Sequence, residues 1–397
     1  MAQGMLHGVR IIDMTGVVFG PYATQMLADL GADVIKVEPP QGDQMRMSGK
    51  AAKTRLMSPA HMTLNRGKRS MVLDLKLTDD AAVMRALLKD ADVFIHNIRG
   101  QAIEKLGFGY EAVRAINPQI IYVHGVGFGQ QGPYADLQAY DDVIQAATGA
   151  TTLAGRVDGD PRPRYLPSLV ADKVAGLYGA QAVLAALVHK LRTGRGQTVE
   201  APMFEAFTHF LLEEHLGGHT FAPPIAPAGY PRQLDPARQP FPTADGYISI
   251  VPYTDANLIE LFTVLGHPEV LDDPRFATPR DRAANMTDLY HAIAEHTPSR
   301  TTEAWVVTLR AARLPAMAVR DLSEVTQDPH LRAVGFFRRR SHPTEGDFLE
   351  MQPPIRYGDA EAFDARYAPR LGEHTEEIKA ELRATGRLPG GPENTAS

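Results

Sequence analysis

The 397-residue sequence contains no cysteine. That absence excludes a disulfide framework, a thiolate nucleophile, an iron–sulfur cluster and cysteine-ligated zinc. Any nucleophile of the chain itself must be oxygen or nitrogen; a thiol has to come with a ligand. A basic excess is also lacking, since 41 Lys+Arg stand against 47 Asp+Glu, a net charge of −6. A general nucleic-acid binder shows the opposite balance. The one basic run, Arg338-Arg339-Arg340, reads as a solvated strand end. The N-terminus lacks the charged-then-apolar order of a signal peptide. The most apolar stretch, Val174 to Leu191, includes Gln181, His189 and Lys190 and reads as a core helix, not a membrane span. These features lead us to expect a cytoplasmic protein with no nucleic-acid or membrane partner. The 44% hydrophobic and 22% charged content is that of a globular chain, and the length points to more than one domain.

The first two hundred residues alternate strand and helix signals. Val9 to Met14, Asp33 to Glu38, Ser70 to Leu75, Asp92 to Ile95 and Ile120 to His124 are short apolar strands. Gly20-Pro21 opens a helix that Gly31 stops. Another helix runs from Asp79 to Lys89. This rhythm predicts a parallel sheet with helices on both faces. Residues 223–242 then hold seven prolines in twenty positions, which reads as an extended linker. Residues 243–320 are helix-rich and read as a small domain. Strand signals return at Ala316–Val319, Phe336–Arg339 and Phe348–Met351, and a last helix covers Glu373 to Leu382. The boundaries expected are therefore 1–222 for the first part of a large domain, 223–242, 243–320, and 321–397 for its return with a polar, frayed tail from Pro389 to Ser397.

Four features carry chemistry. Gly125-Val126-Gly127-Phe128-Gly129-Gln130-Gln131-Gly132 contains a GxGxxG after a strand, but Pro133 follows and no helix is offered to phosphates. Its readings are a turn above the sheet, a backbone passing close to a ligand, or a nicotinamide site. His209, Glu213, His215 and His219 have helical spacing, which suits a metal or simply a polar helix end; Gly217-Gly218 favours the latter. Lys53, Arg55, Arg66, Lys68, Arg69 and Lys76 form a basic segment that is either a wet face or a place for a phosphate-bearing ligand. Asp172 opens the apolar helix. It is either an N-cap or a carboxylate kept reactive in an apolar pocket at a positive helix end.

Several long segments together resemble the class III CoA-transferases, the CaiB/BaiF family. They are Leu6 to Asp13 with Gly20 to Pro40, Asn65-Arg66-Gly67-Lys68-Arg69-Ser70, Tyr140-Asp141 with Gln145-Ala146, and Gly194-Arg195-Gly196-Gln197. The resemblance spans essentially the whole chain. It implies an α/β fold with a Rossmann-like large domain built from both chain ends, a smaller inserted domain, and two ring-like subunits interlocked as a homodimer. It implies a CoA-transferase that takes an acyl-CoA and a free carboxylic acid, with coenzyme A as co-substrate, no tightly bound cofactor and no metal. Asp172 falls on the family's nucleophile, which passes through an aspartyl anhydride and an aspartyl-CoA thioester. Among CoA-binding positions Val17, Leu73, Lys76 and Asn97 match, Lys105 replaces an arginine, and Tyr140 matches the aromatic residue near the thioester. Val18 stands where formyl-CoA transferase has a glutamine, and Pro39 and Gln138 where it has basic contacts. Val251 to Asn257 replace its glycine-rich loop. These departures point away from the oxalate–formate pair.

Two other readings remain at this stage. A 2-methylacyl-CoA racemase of the same fold needs a proton-transferring histidine where this chain has Tyr140. A non-catalytic acyl-CoA binder has no use for a carboxylate at the thioester. Arg46 and Arg55 are candidates to receive the second carboxylate of a dicarboxylic acid.

Overall fold

A computed structural model describes residues 4–49, 53–358 and 365–389. The tail expected to fray lies, from residue 390 on, outside the described residues. The chain divides into two compact units. The first comprises described residues of 1–151, 165–211 and 333–397, the second those of 152–164 and 212–332.

The first unit is built on six parallel strands: β1 Arg10–Met14, β2 Asp33–Glu38, β3 Arg69–Val72, β4 Val93–His96, β5 Ile121–Val126 and β6 Gln197–Pro202. Their order is β3-β2-β1-β4-β5-β6, so the chain reverses direction across the sheet between β1 and β4. In such sheets ligands bind beyond the carboxyl ends of the strands at that reversal. The apolar runs are continuous because both faces are covered. Ile12, Phe94 and Tyr122 pack with Met84, Leu87, Phe108 and Val113 on one face. Ile11, Val34, Ile95 and Val123 pack with Leu27, Val183 and Leu187 on the other. The helix Phe19–Asp29 is followed by Gly31 at φ 93°, a backbone that a side chain would strain. The long helix Val170–Thr193 ends at Gly194, φ 70°, whose N–H bonds back to the Lys190 carbonyl.

The long helix is apolar and long enough to cross a membrane by composition alone. It begins two residues earlier than its first charged residue, Asp172, and its inner face, Ala175, Gly179 and Val183, is buried while Leu177 and Leu191 are exposed. The pattern is that of a helix laid on one side of a sheet.

In the second unit β7 Phe241–Pro242, β8 Tyr247–Ile250 and β9 Ala316–Ala318 form an antiparallel sheet. The helices Asp255–Leu265, Met286–His296 and Thr302–Ala311 close its core around Trp305, which is fully buried. Residues 223–240 carry no helix or strand.

The strand signals after residue 316 therefore separate. β9 belongs to the second unit's sheet. β10 Phe337–His342 and β11 Gly346–Met351 pair only with each other, as an antiparallel hairpin. The C-terminal part joins the first unit without adding a strand to its large sheet. Its helix Thr375–Ala384 instead buries Ile378 and Leu382 against the β3 side of the core.

Candidate active site

Charged residues sit in the middle of the first two strands. Asp13 in β1 lies in register with Lys36 in β2, and both are fully buried. Such charges persist in a core only when paired and hydrogen-bonded. Lys36 Nζ donates to Asp43 Oδ2 at 2.9 Å and to the Thr15 carbonyl at 2.7 Å. Lys68 Nζ donates to Asp13 Oδ2 at 3.2 Å, Asn65 Oδ1 at 2.9 Å and the Pro21 carbonyl at 3.0 Å. Burial alone would raise the Asp13 pKa, but Lys68 and Lys36 outweigh it and hold it below the usual value.

This network shapes the turn between β1 and the first helix. The Val17 N–H donates to Asp43 Oδ1 at 3.1 Å. Asn97 clamps Gly16 twice, accepting from its N–H and donating to its carbonyl, each at 2.9 Å. Val17 is thereby held at φ 67°, a left-handed backbone that a β-branched residue strongly disfavours. The strained turn delivers the start of the helix Phe19–Asp29 to the face where the long helix begins.

Asp172 is the third residue of the long helix, not its N-cap; Leu169 takes the cap position. A backbone hydrogen bond from Phe19 lowers the pKa of its carboxylate. Its own N–H donates to Asp141 Oδ1 at 3.0 Å. Asp141 opens the helix Asp141–Ala147, and its other oxygen accepts from Gln145 Nε2 at 2.6 Å. Gln145 Oε1 accepts from the Leu166 N–H at 2.8 Å, which fixes the segment leading into Asp172. Asp172 is 7% exposed. Burial first, then the neighbouring Asp141 carboxylate, raise its pKa to about 6, against the Phe19 hydrogen bond.

Asp172 opens into a cavity of about 820 Å³ beyond the carboxyl ends of β1, β4 and β5. That volume lies within the roughly 300–1,000 Å³ range of ligand pockets. Of the residues expected at the site, Val17, Asn97, Lys105, Tyr140 and Asp172 line this cavity together. Tyr140 is 57% exposed and caps the helix that Asp141 begins. Val18, Leu73 and Lys76 do not line it. Val18 and Leu73 are buried, at 3% and 2% exposure. Lys76 is exposed beyond β3, its N–H bonded to Asp74.

Several expectations need correction. While Lys53, Arg55 and Lys76 are exposed, half of the basic segment is turned inward: Lys68 meets Asp13, Arg66 meets Asp29, and Arg69 meets Asp33 and Glu381. These cations neutralise carboxylates of the fold and are not available to phosphate. Arg46 is 1% exposed and grips Glu38 at 2.6 Å, so it receives no substrate carboxylate. Arg55 does not line the cavity. The glycine loop holds no phosphate cradle, because the Gly129 and Gln130 N–H groups are taken by Glu205 and Glu200. Its glycines serve close approach instead: a Cβ on Gly127 would lie 2.2 Å from that of Ala139. Among the described residues no group of three or more His, Asp or Glu is placed to hold a metal. His209 bonds to the Tyr178 hydroxyl and His215 accepts from the Tyr230 N–H.

Sequence reasoning missed Phe19, Arg99 and His124, which also line the cavity. His124 stacks on His96 at 4.4 Å and its Nε2 meets the Ile98 carbonyl at 2.9 Å, while burial lowers its pKa. The readable signal was positional, since each lies at or just after a strand's carboxyl end or at a helix start.

The approach of the two helices depends on Gly176. A Cβ there would sit 2.9 Å from both the Phe19 carbonyl and the Tyr22 ring. Gly176→Ala is expected to push the helices apart and shift the Phe19 N–H from Asp172. A displacement near 1 Å lowers turnover by about 10²-fold, and overpacking destabilises by about 1–3 kcal/mol. Steady-state kinetics with urea unfolding checks both.

A family model for CoA-transferase family III matches residues 6–375. The chain belongs to that family. Members are class III CoA-transferases, and this chain is accordingly a transferase enzyme. It is 33% identical over 390 residues to a succinate–glutarate CoA-transferase of Agrobacterium fabrum, covering 96% of each chain. It is 32% identical to a formyl-CoA:oxalate CoA-transferase of Streptomyces avermitilis, covering 94% of each. Among solved structures, a CaiB/BaiF family protein from Brucella suis superposes with a TM-score of 0.82 at 32% identity, over 96% of this chain and 100% of that one.

Proposed function

We propose that this class III CoA-transferase moves coenzyme A from an acyl-CoA to a short dicarboxylic acid, with Asp172 as nucleophile. The observation that carries the nucleophile is its place: a nearly buried carboxylate at a helix start, opening on the cavity. The Asp172 carboxylate attacks the thioester carbonyl, the C–S bond breaks, and an acyl–aspartyl anhydride and CoA thiolate result. The thiolate attacks the Asp172 carbonyl, expelling the donor acid and leaving aspartyl-CoA thioester. The acceptor carboxylate attacks that thioester and expels the thiolate. The thiolate then takes the acceptor acyl group from the second anhydride and frees Asp172. Covalent catalysis divides one exchange into steps between groups of similar energy.

Val17, Asn97, Lys105 and Tyr140 are the proposed CoA contacts at the cavity. Lys76 is proposed to meet the nucleotide phosphates from outside it, and Val18 and Leu73 to act through backbone. The dicarboxylic acceptor is supported by the acids in the relatives' names, succinate, glutarate and oxalate. Val18, in place of the glutamine of formyl-CoA transferase, supports an acid other than oxalate. Two copies are proposed to interlock as a homodimer, which sedimentation velocity tests directly.

Incubation with succinyl-CoA and hydroxylamine should convert Asp172 to a hydroxamate, read by peptide mass spectrometry. Modification at any other carboxylate, or none, would remove the assignment. A panel of acids of two to six carbons then identifies the acceptor.

The nucleophile must be ionised. With its pKa raised to about 6, kcat/KM should fall tenfold per pH unit below that value. Asp141→Asn removes the neighbouring charge and should move this limb to lower pH. An unchanged limb would show that another group controls it.

A further inference from the structure

The second unit contains a pocket of about 140 Å³ whose lining shares no residue with the cavity at Asp172. Its floor is core, with Phe241 and Tyr290 at 3% and 4% exposure. Arg232, Arg238 and Ser249 complete its wall. The prolines at 231, 236 and 240 keep the backbone that carries both arginines out of helix and strand.

In this unit Arg275 pairs with Asp273 and Asp288, Arg282 with Asp255, and Arg320 with Asp328, while Arg156 donates to the Ala228 carbonyl and Arg300 lies over Trp305. Arg238 instead donates to the neutral Gln233 side chain at 2.7 Å. Arg232 lies over the Tyr253 ring at 5.7 Å. Among the described residues neither has a carboxylate partner. Asp235, between them in sequence, is engaged by the Ala237 N–H and the Thr287 hydroxyl. Two half-buried cations beside an apolar floor form an anion site that the chain itself does not fill.

We infer that this pocket is a carboxylate-binding site, taking a short dicarboxylic acid with one carboxylate between Arg232 and Arg238. Planar guanidinium forks match a planar carboxylate, and the lining offers no lysine and no helix N-terminus to favour phosphate. The volume equals several water molecules at about 30 Å³ each, which fits a carboxylate and a short carbon chain. The choice of an acid rests on the proposed function, where free acids are both acceptor and product.

The test is calorimetric titration of the full chain, without any CoA thioester, with glutarate, pentanoate and inorganic phosphate. Glutarate should bind, and Arg232→Met and Arg238→Met should each weaken it about tenfold or more. Arg232→Lys and Arg238→Lys should restore part of the loss, which separates charge from folding. Because the cavity at Asp172 is also proposed to take the acceptor acid, Asp172→Asn should leave unchanged only that part of glutarate binding which Arg232→Met and Arg238→Met remove. Unaltered binding in both Arg→Met variants, loss in the Asp172 variant alone, or phosphate binding as tight as glutarate would each overturn the site. Failure of the transferase reading shows separately, as absent exchange between acyl-CoA and acid, and leaves these titrations intact.

Discussion

Asp172→Asn is expected to lower the transferase rate by roughly 10⁴-fold or more, the scale on which enzymes lose a covalent nucleophile. The amide is nearly the same size and its oxygen still accepts from the Phe19 N–H. What it lacks is a charged oxygen able to attack a thioester. The variant should nevertheless be no less stable. The folded-state pKa of Asp172, about 6, lies above its ordinary 3.8. Stability from this group is therefore present at low pH and is lost as pH rises through about 6. At neutral pH its ionised form opposes folding, by at most about 3 kcal/mol. Loss of rate with an equal or higher midpoint in urea identifies a group kept for chemistry. Retained exchange activity would mean that another residue carries the acyl group.

Lys36→Met is expected to produce the largest fall in stability, about 3–5 kcal/mol, because it leaves buried carboxylates without their cation. Lys36 is 0% exposed, and Asp13 and Asp43 both lean on it. Burial would lower its pKa, yet Asp43 and then Asp13 raise it, so it stays charged. The double variant Lys36→Met/Asp43→Leu should recover only part of the loss, since the unpaired Asp43 charge goes but the Val17 and Met45 N–H groups lose their acceptor. The only tryptophan, Trp305, lies in the second unit's core and does not report on this site. Hydrogen exchange at β1 and β2 amides is the suitable probe. Activity should fall as well, because Asp43 holds the Val17 turn that carries Phe19 to Asp172.

The sheet was readable in the sequence because parallel strands covered on both faces must be short apolar runs. Asp33 to Glu38 was placed at its observed limits. The strand order was not readable from local pattern, since it depends on crossovers. Phe336–Arg339 and Phe348–Met351 were readable as strands, but not that they pair with each other alone, as the hairpin β10–β11. Asp172 and Tyr140 were found through the family resemblance, and the cavity brings them together. The buried ion pairs were hidden because a count of charges does not show which face inward. One clue was present, namely Asp13 inside an apolar run and Lys36 inside the next, at positions that adjacent parallel strands align.

The C-terminal residues finish the first unit in a way that bears on how the chain acquires its structure. The Pro369 carbonyl accepts from Arg46 and from His61, partners 323 and 308 residues away. Glu381 reaches Arg69 across 312 residues, and the Gly67 N–H bonds to the Arg366 carbonyl. Until residues 366–381 have been made, cations near β2 and β3 lack part of their coordination, and the edge of the sheet lacks its cover. Contacts of such long sequence separation form late and slow folding. The first unit thus stays incomplete while all the residues between its strands and residues 366–381 are made, the interval in which exposed strand edges invite misassembly.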